Sequence, residues 1–510
     1  MKKIKKIILI ALLLQGFCCK TIAQTDDEDI VNLTRLFNNV DATTPIDDER
    51  YLNVPEGVFN HGQIMNIPES TQADLLHKVL IIVDSTLYDV LNYEIDRYAY
   101  DIHYVYGCNL IMEWVNEETC QDIKNLILSY HSGLDGCVFF GDIVPAKYEA
   151  NDLAADTTLK NWPCDMYYMD LTGVWTDTTN NHIFNLYSGD LKPEIFIGRI
   201  STTNMGNLLG EVEGVRMYLN KNHKYWIGYQ HVDKKYGLAY TNNPWKSYSY
   251  FNDSIVFLYG DGNHDSFNSD NLTSFGKEDY LNRLGDDRYE FIQLASHSDY
   301  YYHCKFGKLE NESILGNVLF NHEIQALGFN LFCCYACRWT AASNSNAFLA
   351  GDYIYSPNTK GLCVVGSTKA GSMYPFTNFN KSLGRGETMG QALVDWWRKK
   401  TQYSHDLELC WFFGLTIIGD PLVNFFHCTN STCQDQLTLT SYDSSNTPLS
   451  YYLTSEKITV APPATGSFTI PVGDHCIFNA PTVEIKGEFL CPFGSSMEIL
   501  NEGCRDNCDE

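Results

Sequence analysis

The chain has 510 residues, of which 44% are apolar and 19% charged, and a formal net charge of −27. That length supports two or three domains around sizeable cores, and the composition excludes a disordered chain. The acidity argues against nucleic acid and anionic lipid as partners, since both attract basic surfaces, and it suits solubility outside the cell.

Residues 1–24, "MKKIKKIILIALLLQGFCCKTIAQ", read as a secretory signal: a basic start, an apolar stretch from Ile7 to Leu14, and small residues near Ala23. Cleavage is expected after Ala23 or Gln24. A lipid anchor on Cys18 or Cys19 is the alternative, opposed by the bulky Phe17 and by the cysteine that precedes Cys19. The apolar stretch is too short to span a membrane and no later run is long enough, so no integral membrane span is expected. The mature chain is therefore expected to be secreted or associated with the cell surface.

Residues 25–74 are acidic and weakly periodic and read as an N-terminal extension or pro-segment. From Lys78 the texture changes. "KVLIIVD" predicts a buried strand, and Leu87, Val90, Leu91, Ile95, Tyr98 and Ile102 follow at helical spacing. "NLIMEWV" is the next strand, Ile123, Leu126, Ile127 and Tyr130 mark a helix, and "GCVFFGD" is a third strand. "PEIFIGRI" is a further strand, followed by a helix through Leu208, Val212 and Met217. The pattern then restarts with strands at "YGLAYTNN", "SIVFLYGDG", "YEFIQLASHS", "ALGFNLFCC" and "GLCVVGSTKAG". A helix with Leu393, Trp396 and Trp397 and a strand in "WFFGLTIIGDP" close it. Strand–helix alternation means a parallel sheet with helices on its faces. We read two α/β halves, 75–225 and 226–427, with sites expected at the carboxyl ends of the strands.

After Cys428 apolar and polar residues alternate between Pro and Gly turns, which predicts a small all-β module over 428–510. Removal of the signal leaves sixteen of the eighteen cysteines, and six lie in this tail: Cys428, Cys433, Cys476, Cys491, Cys504 and Cys508. In an exported chain that cluster predicts disulfide stapling. Zinc is disfavoured there, because the spacings hold no paired CxxC motif.

Two strand ends carry the chemistry. One is "QLASHSD", with His297 where the apolar run stops; the next in sequence is "FNLFCCYACRW". If the two strands are neighbours, an imidazole and a thiol meet at the sheet edge, and the imidazole can take the thiol proton or, as imidazolium, stabilise the thiolate. Tight turns after the strands can aim backbone N–H groups at a developing oxyanion. Cys333 and Cys334 are adjacent, so their side chains point to opposite faces of a strand and cannot easily share one zinc ion. Only one of them can face His297. We expect Cys334 on the active edge and Cys333 on the packed helix layer.

These motifs resemble those of the gingipain family of secreted cysteine peptidases, which have a caspase-like α/β fold. The resemblance spans roughly residues 78–427. "PEIFIGRIS" resembles the family's strand ending in Gly-Arg, and "LASHS" stands where the family has Gly-His-Gly around its catalytic histidine. "CYACRW" stands at the nucleophile, "GLCVVGSTKAGSM" at the following strand and turn, and "WFFGLTIIGDPLV" at the closing Gly-Asp-Pro. The resemblance implies a secreted endopeptidase with protein or peptide substrates and no cofactor required for the chemistry. It implies His297 as base or imidazolium partner and Cys334 as nucleophile, since Trp339 then takes the aromatic position and Cys337 the glycine position; Cys333 is the alternative.

The resemblance also implies an orienting carboxylate from "SGDLKPEIF", either Glu194 or Asp190, and an oxyanion hole from the N–H groups of Ser298 and Cys334. Ser296 and Ser298 replace the family's glycines, and the Cβ of Ser298 restricts a left-handed turn. Cys337 replaces a glycine and could pair with Cys333 or Cys334. These departures keep a second class open: a non-catalytic binding or adhesion protein on the same scaffold. In the turn-rich loop 165–190, Asp170, Asp177, Asn180 and Asn181 offer hard oxygen ligands for a structural calcium ion, and similar family members carry an Asp- and Gly-rich loop here.

Overall fold

Short apolar runs ended by Gly, Asp, Asn or Ser form strands buried on both faces, which is what helices on both sides of a parallel sheet require. The computed structural model describes residues 60–66, 77–105, 107–151, 159–227, 235–246, 249–341, 347–371, 375–400, 412–425, 434–440, 449–461, 467–472 and 475–500. The expected signal segment, with Cys18 and Cys19, lies outside them, as do Cys428, Cys433, Cys504 and Cys508.

The first half contributes β1 (Asn60–Asn66), β2 (His77–Asp84), β3 (Cys108–Asn116) and β4 (Gly136–Phe140) to the main sheet. Two hairpins follow, β5 (Lys147–Asn151) with β6 (Leu159–Pro163) and β7 (Val174–Thr176) with β8 (Leu186–Ser188), before β9 (Phe196–Ile200). The second half adds β10 (Gly237–Thr241), β11 (His264–Asn268) and β12 (Phe291–Ala295), then a small sheet of β13 (His297–Asp299), β14 (Tyr302–Phe306) and β15 (Glu312–Leu315). It ends with β16 (Gly328–Phe332), β17 (Cys363–Ser367) and β18 (Leu415–Gly419).

All eleven main strands form one sheet in the order β1-β3-β2-β4-β9-β18-β17-β16-β12-β10-β11. The last strand, β18, is the seam: it pairs parallel with β9 and antiparallel with β17. The two halves therefore run in opposite directions, and the edge where β12 and β16 end is the edge where β9 begins. The expected extension supplies one element of its own, since β1 pairs antiparallel with β3.

The Gly-Asp-Pro motif locks the seam. Gly419 has φ +98°, and a Cβ there would stand 2.1 Å from the Leu362 carbonyl oxygen, so only glycine makes this turn. Asp420 is fully buried and accepts hydrogen bonds from Tyr98 (2.9 Å), Asn222 (2.8 Å), Trp226 (3.2 Å) and the Leu422 N–H (2.9 Å). Those side chains come from helices Ser85–Tyr100 and Glu211–Trp226, so one carboxylate ties both to β18.

Two local expectations shift. "SIVFLYGDG" holds a short helix, Val256–Tyr259, and the strand follows at β11; an apolar run of four or five residues does not by itself distinguish the two. In the helix Glu211–Trp226 the buried stripe runs through Val215, Tyr218, Leu219 and Asn222, whereas Val212 is exposed.

In the tail, β19 (Gln434–Leu439), β20 (Leu449–Val460), β21 (Phe468–Thr469), β22 (His475–Asn479), β23 (Thr482–Ile485), β24 (Phe489–Leu490) and β25 (Ser496–Leu500) pair parallel throughout. Leu449, His475 and Ser496 stack in successive coils, which makes this all-β module a short β-solenoid. Ile458, Val460, Phe468 and Phe478 fill its interior, and Glu498 accepts a 2.7 Å hydrogen bond from Tyr93 of the α/β region. Among the described residues no cysteine forms a disulfide, Cys476 and Cys491 included.

Candidate active site

β12 and β16 are parallel neighbours in register from Phe291 opposite Gly328 to Ala295 opposite Phe332. Beyond the last pair the Ser296 N–H still reaches the Phe332 carbonyl, at 3.3 Å. His297 and Cys334 each lie two residues past the paired Ala295 and Phe332, so they leave adjacent strands at the same level. The Ser298 hydroxyl then donates to the Cys334 carbonyl at 2.5 Å, which ties the two strand ends together. Both residues are nearly enclosed, His297 at 3% exposure and Cys334 at 1%.

The two cysteines follow β16 in a bend rather than on the strand itself. The Cys333 thiol lies 3.7 Å from the Leu294 carbonyl and 3.9 Å from Nδ1 of His303 on β14. His303 Nε2 meets the Tyr353 hydroxyl at 2.9 Å, and Tyr353 meets Tyr280 at 2.9 Å. Burial raises the Cys333 thiol well above its ordinary pKa and lowers His303 to about 3, so this chain is neutral at neutral pH. Phe332 packs against Phe251, with ring centroids 4.7 Å apart, and the His297 ring packs against Trp245 at 4.2 Å.

Burial, with a smaller contribution from the Lys305 cation, lowers His297 to about 3. The imidazole is therefore neutral at neutral pH. Of the two roles expected for it, a resting imidazolium does not fit this electrostatic setting.

The turn after Cys334 is pinned at several points. Tyr335 takes φ +55°, and its N–H donates to the Lys369 carbonyl at 3.0 Å. The Cys337 N–H donates to Ser367 at 3.0 Å, and Arg338 reaches the carbonyls of Asn161 (3.1 Å) and Thr368 (3.3 Å). Trp339 receives the Arg199 guanidinium over its ring at 4.4 Å, while Asp165 grips that guanidinium at 2.8 Å. The "GRI" and "CRW" motifs thus meet in one stack. Ser298 stays within β13 and makes no left-handed turn.

The carboxylates expected to orient His297 are engaged elsewhere. Glu194 accepts from the Leu171 N–H (2.6 Å) and the Thr172 hydroxyl (3.0 Å). Asp190 pairs with Lys192 at 3.5 Å on an exposed loop. Both precede β9 at the correct sheet edge, but β18, β17 and β16 lie between β9 and β12, the strand that leads into His297.

The calcium candidates are also spread out. Asp170 sits at the base of the β7–β8 hairpin and accepts from the N–H groups of Thr172 (3.2 Å) and Gly173 (2.8 Å). Asp177, Asn180 and Asn181 lie at the tip, roughly 10 Å further along at strand rise. There Asp177 accepts from Thr179 (2.9 Å) and His182 (2.7 Å), and Asn181 donates to Glu149 at 3.2 Å. Among the described residues no three His, Cys, Asp or Glu side chains converge on a common point. Two further residues stand near His297, Trp245 and Lys305. The sequence signal for Trp245 is the "NNPW" turn at the tip of β10, where proline and an aromatic follow a strand end; Lys305 has none.

No family model and no curated protein matches the chain. Among solved structures it is similar to the Arg-specific cysteine proteinase gingipain R, with 10% identity, a TM-score of 0.48, and coverage of 72% of this chain and 83% of that one. It is also similar to a protease structure at 12% identity and TM-score 0.48, covering 69% and 79%. A third likeness is to the complex of the pro- and mature domains of RgpB from Porphyromonas gingivalis, at 10% identity and TM-score 0.47, covering 71% and 84%. The strand order and side-chain geometry above stand independently of these likenesses.

Proposed function

We propose that the protein is a cysteine endopeptidase with Cys334 as nucleophile and His297 as general base. The observation that supports this reading is the register of β12 and β16 together with the Ser298–Cys334 hydrogen bond, since His297 and Cys334 follow neighbouring strand ends. Neutral His297 would accept the thiol proton as sulfur attacks the scissile carbonyl carbon. The N–H groups of Ser298 and Cys334 are the donors we assign to the oxyanion. Collapse would break the C–N bond, and His297 would return its proton to the leaving amine. Water, deprotonated by His297, would then release the acyl group and restore the thiol. The substrates would be proteins or peptides met outside the cell, a placement that rests on the sequence of residues 1–24. Among the described residues no helix is long and apolar enough to cross a membrane.

One observation favours a second reading, a binding protein without catalysis: Cys334 and His297 are almost wholly enclosed. A thiol-reactive peptidyl ketone separates the two. Labelling of Cys334 in the wild type that disappears in Cys334→Ala and falls steeply in His297→Ala supports the peptidase. A Cys334 that stays unlabelled over a broad peptide library supports the binding protein, and the same library reads the preferred residue before the scissile bond.

A further inference from the structure

We infer that Trp245 is the positioning residue for His297, its ring packing against the imidazole and fixing its orientation. The catalytic consequence of this inference rests on the peptidase reading; the packing itself does not.

Trp245 closes the 3₁₀ turn Asn243–Trp245 at the tip of β10. That turn is tied to both strands that flank the histidine. The Asn242 N–H donates to the Ala295 carbonyl at 2.8 Å, two residues before His297. The Asn242 side chain donates to the Lys305 carbonyl at 2.5 Å, next to Cys304, the residue paired with His297 across the β13–β14 hairpin. The Trp245 N–H returns to Asn242 at 3.0 Å, and Pro244 fixes φ at the middle of the turn. The indole is 1% exposed, and its ring lies 4.2 Å from the imidazole at 55°, with Phe332 behind it at 6.5 Å. Such close, tilted ring packing limits rotation of the imidazole and excludes water from it.

The charged groups around His297 are consistent with this. Lys305 on β14 is a cation and cannot accept a hydrogen bond from an imidazole N–H. Cys334 comes from the end of β16; Asp299, two residues further along β13, accepts from the Tyr300 N–H at 2.7 Å; Lys246, next to Trp245, pairs with Asp270 at 2.8 Å; and Glu194 and Asp190 are engaged with Leu171 and Lys192. A carboxylate would raise the proton affinity of the imidazole; an indole face holds the ring while leaving it neutral. Loss of the indole would let water in, so desolvation would relax and proton affinity would rise.

The experiment compares full-length wild type, Trp245→Ala and Trp245→Phe by the rate of inactivation with a peptidyl chloromethyl ketone across pH. The titration of His297 is followed in parallel by NMR of histidine-labelled protein, its signal assigned by absence in His297→Gln. We expect Trp245→Ala to slow the maximal inactivation rate by on the order of tenfold or more, with the inhibitor's binding constant unchanged. Its acid limb and the His297 titration should both move to higher pH, and Trp245→Phe should restore most of each. Unchanged limb and titration in Trp245→Ala, or a Phe variant as impaired as the Ala variant, would overturn the inference. If wild-type Cys334 is not labelled at all, the peptidase reading fails, and the NMR titration alone decides whether Trp245 holds the ring. If Trp245→Ala does not fold, Trp245→Leu takes its place under the same criteria.

Discussion

Two cysteine–histidine settings lie next to each other beyond the ends of β12 and β16, and they differ. In one, Cys333 meets His303 of β14, which passes its other nitrogen to Tyr353 and through it to Tyr280, all within the core. In the other, Cys334 and His297 leave the strand ends at the same level, with the Trp245 ring against the imidazole and pinned turns on either side. A cysteine and a histidine in proximity do not by themselves make a nucleophile. In the first setting the side-chain polar atoms are spent on neighbours inside the fold, and in the second two strand ends are tied by a hydrogen bond from Ser298 to the Cys334 carbonyl.

The largest expected effect tests that contrast directly. Cys334→Ala should abolish labelling, and His297→Ala should slow it by roughly 10²–10⁴-fold, the usual worth of a positioned base. Cys333→Ala should leave the rate near wild type. A silent Cys333→Ala with an active Cys334→Ala would reverse the assignment of the two settings.

Next in size is stability. His303→Ala leaves the Tyr353 hydroxyl without its nitrogen partner and opens a cavity beside Phe306, and it should cost on the order of 3 kcal/mol in urea unfolding. The same measurement on His297→Ala should show a smaller loss, because its ring sits at a strand end.

Acid pH should sharpen the comparison from another side. Both imidazoles are lowered to about 3 in the folded protein, against about 6.5 in the unfolded chain. Between these values the unfolded state binds more protons, so the stability from each histidine is complete above pH 6.5 and is lost as pH falls towards 3. At pH 5 each should account for about 2 kcal/mol relative to neutral pH. Glu290, raised to about 8 by burial, acts in the opposite direction, so the readout is a difference between proteins. The pH slope of stability between 4 and 6 should fall by up to one proton in His303→Gln and likewise in His297→Gln.

Smaller effects follow at the margins. Ser298→Ala removes the bond that ties the strand ends, which should cost about 1 kcal/mol and slow labelling only modestly. Calcium should matter least: with Asp170 at the base of its hairpin and Asp177, Asn180 and Asn181 at the tip, the melting temperature should be the same in chelator and in millimolar calcium. A rise with calcium would mean that the hairpin tip gathers ligands on its own.

Much of the strand plan was legible, because fully buried strands must be continuous apolar runs and "KVLIIVD", "GCVFF", "FIQLA" and "GFNLF" admit little else. The placement of the His297 and Cys334 strand ends was legible for the same reason. What was not legible depends on long-range pairing. Nothing local shows that β18 joins β9, or that the halves consequently oppose each other. Glu194 therefore stands at the right edge but with three strands between β9 and β12. The solenoid was hidden because the alternation of its strands looks alike whether the partners run parallel or antiparallel. Trp245 was hidden because an aromatic at a strand tip belongs to no motif until its ring is seen against the imidazole.

The seam strand also sets the order of events during synthesis. β9 is complete at residue 200, yet the strand that covers its open side is not reached until residues 415–419, and Asp420 then knots in helices made hundreds of residues earlier. The first half therefore emerges with a bare parallel edge and a cluster of tyrosine, asparagine and tryptophan side chains waiting for one carboxylate. Such a chain has high contact order and closes late, so its nascent form is exposed to edge pairing with other chains until its final α/β strand arrives.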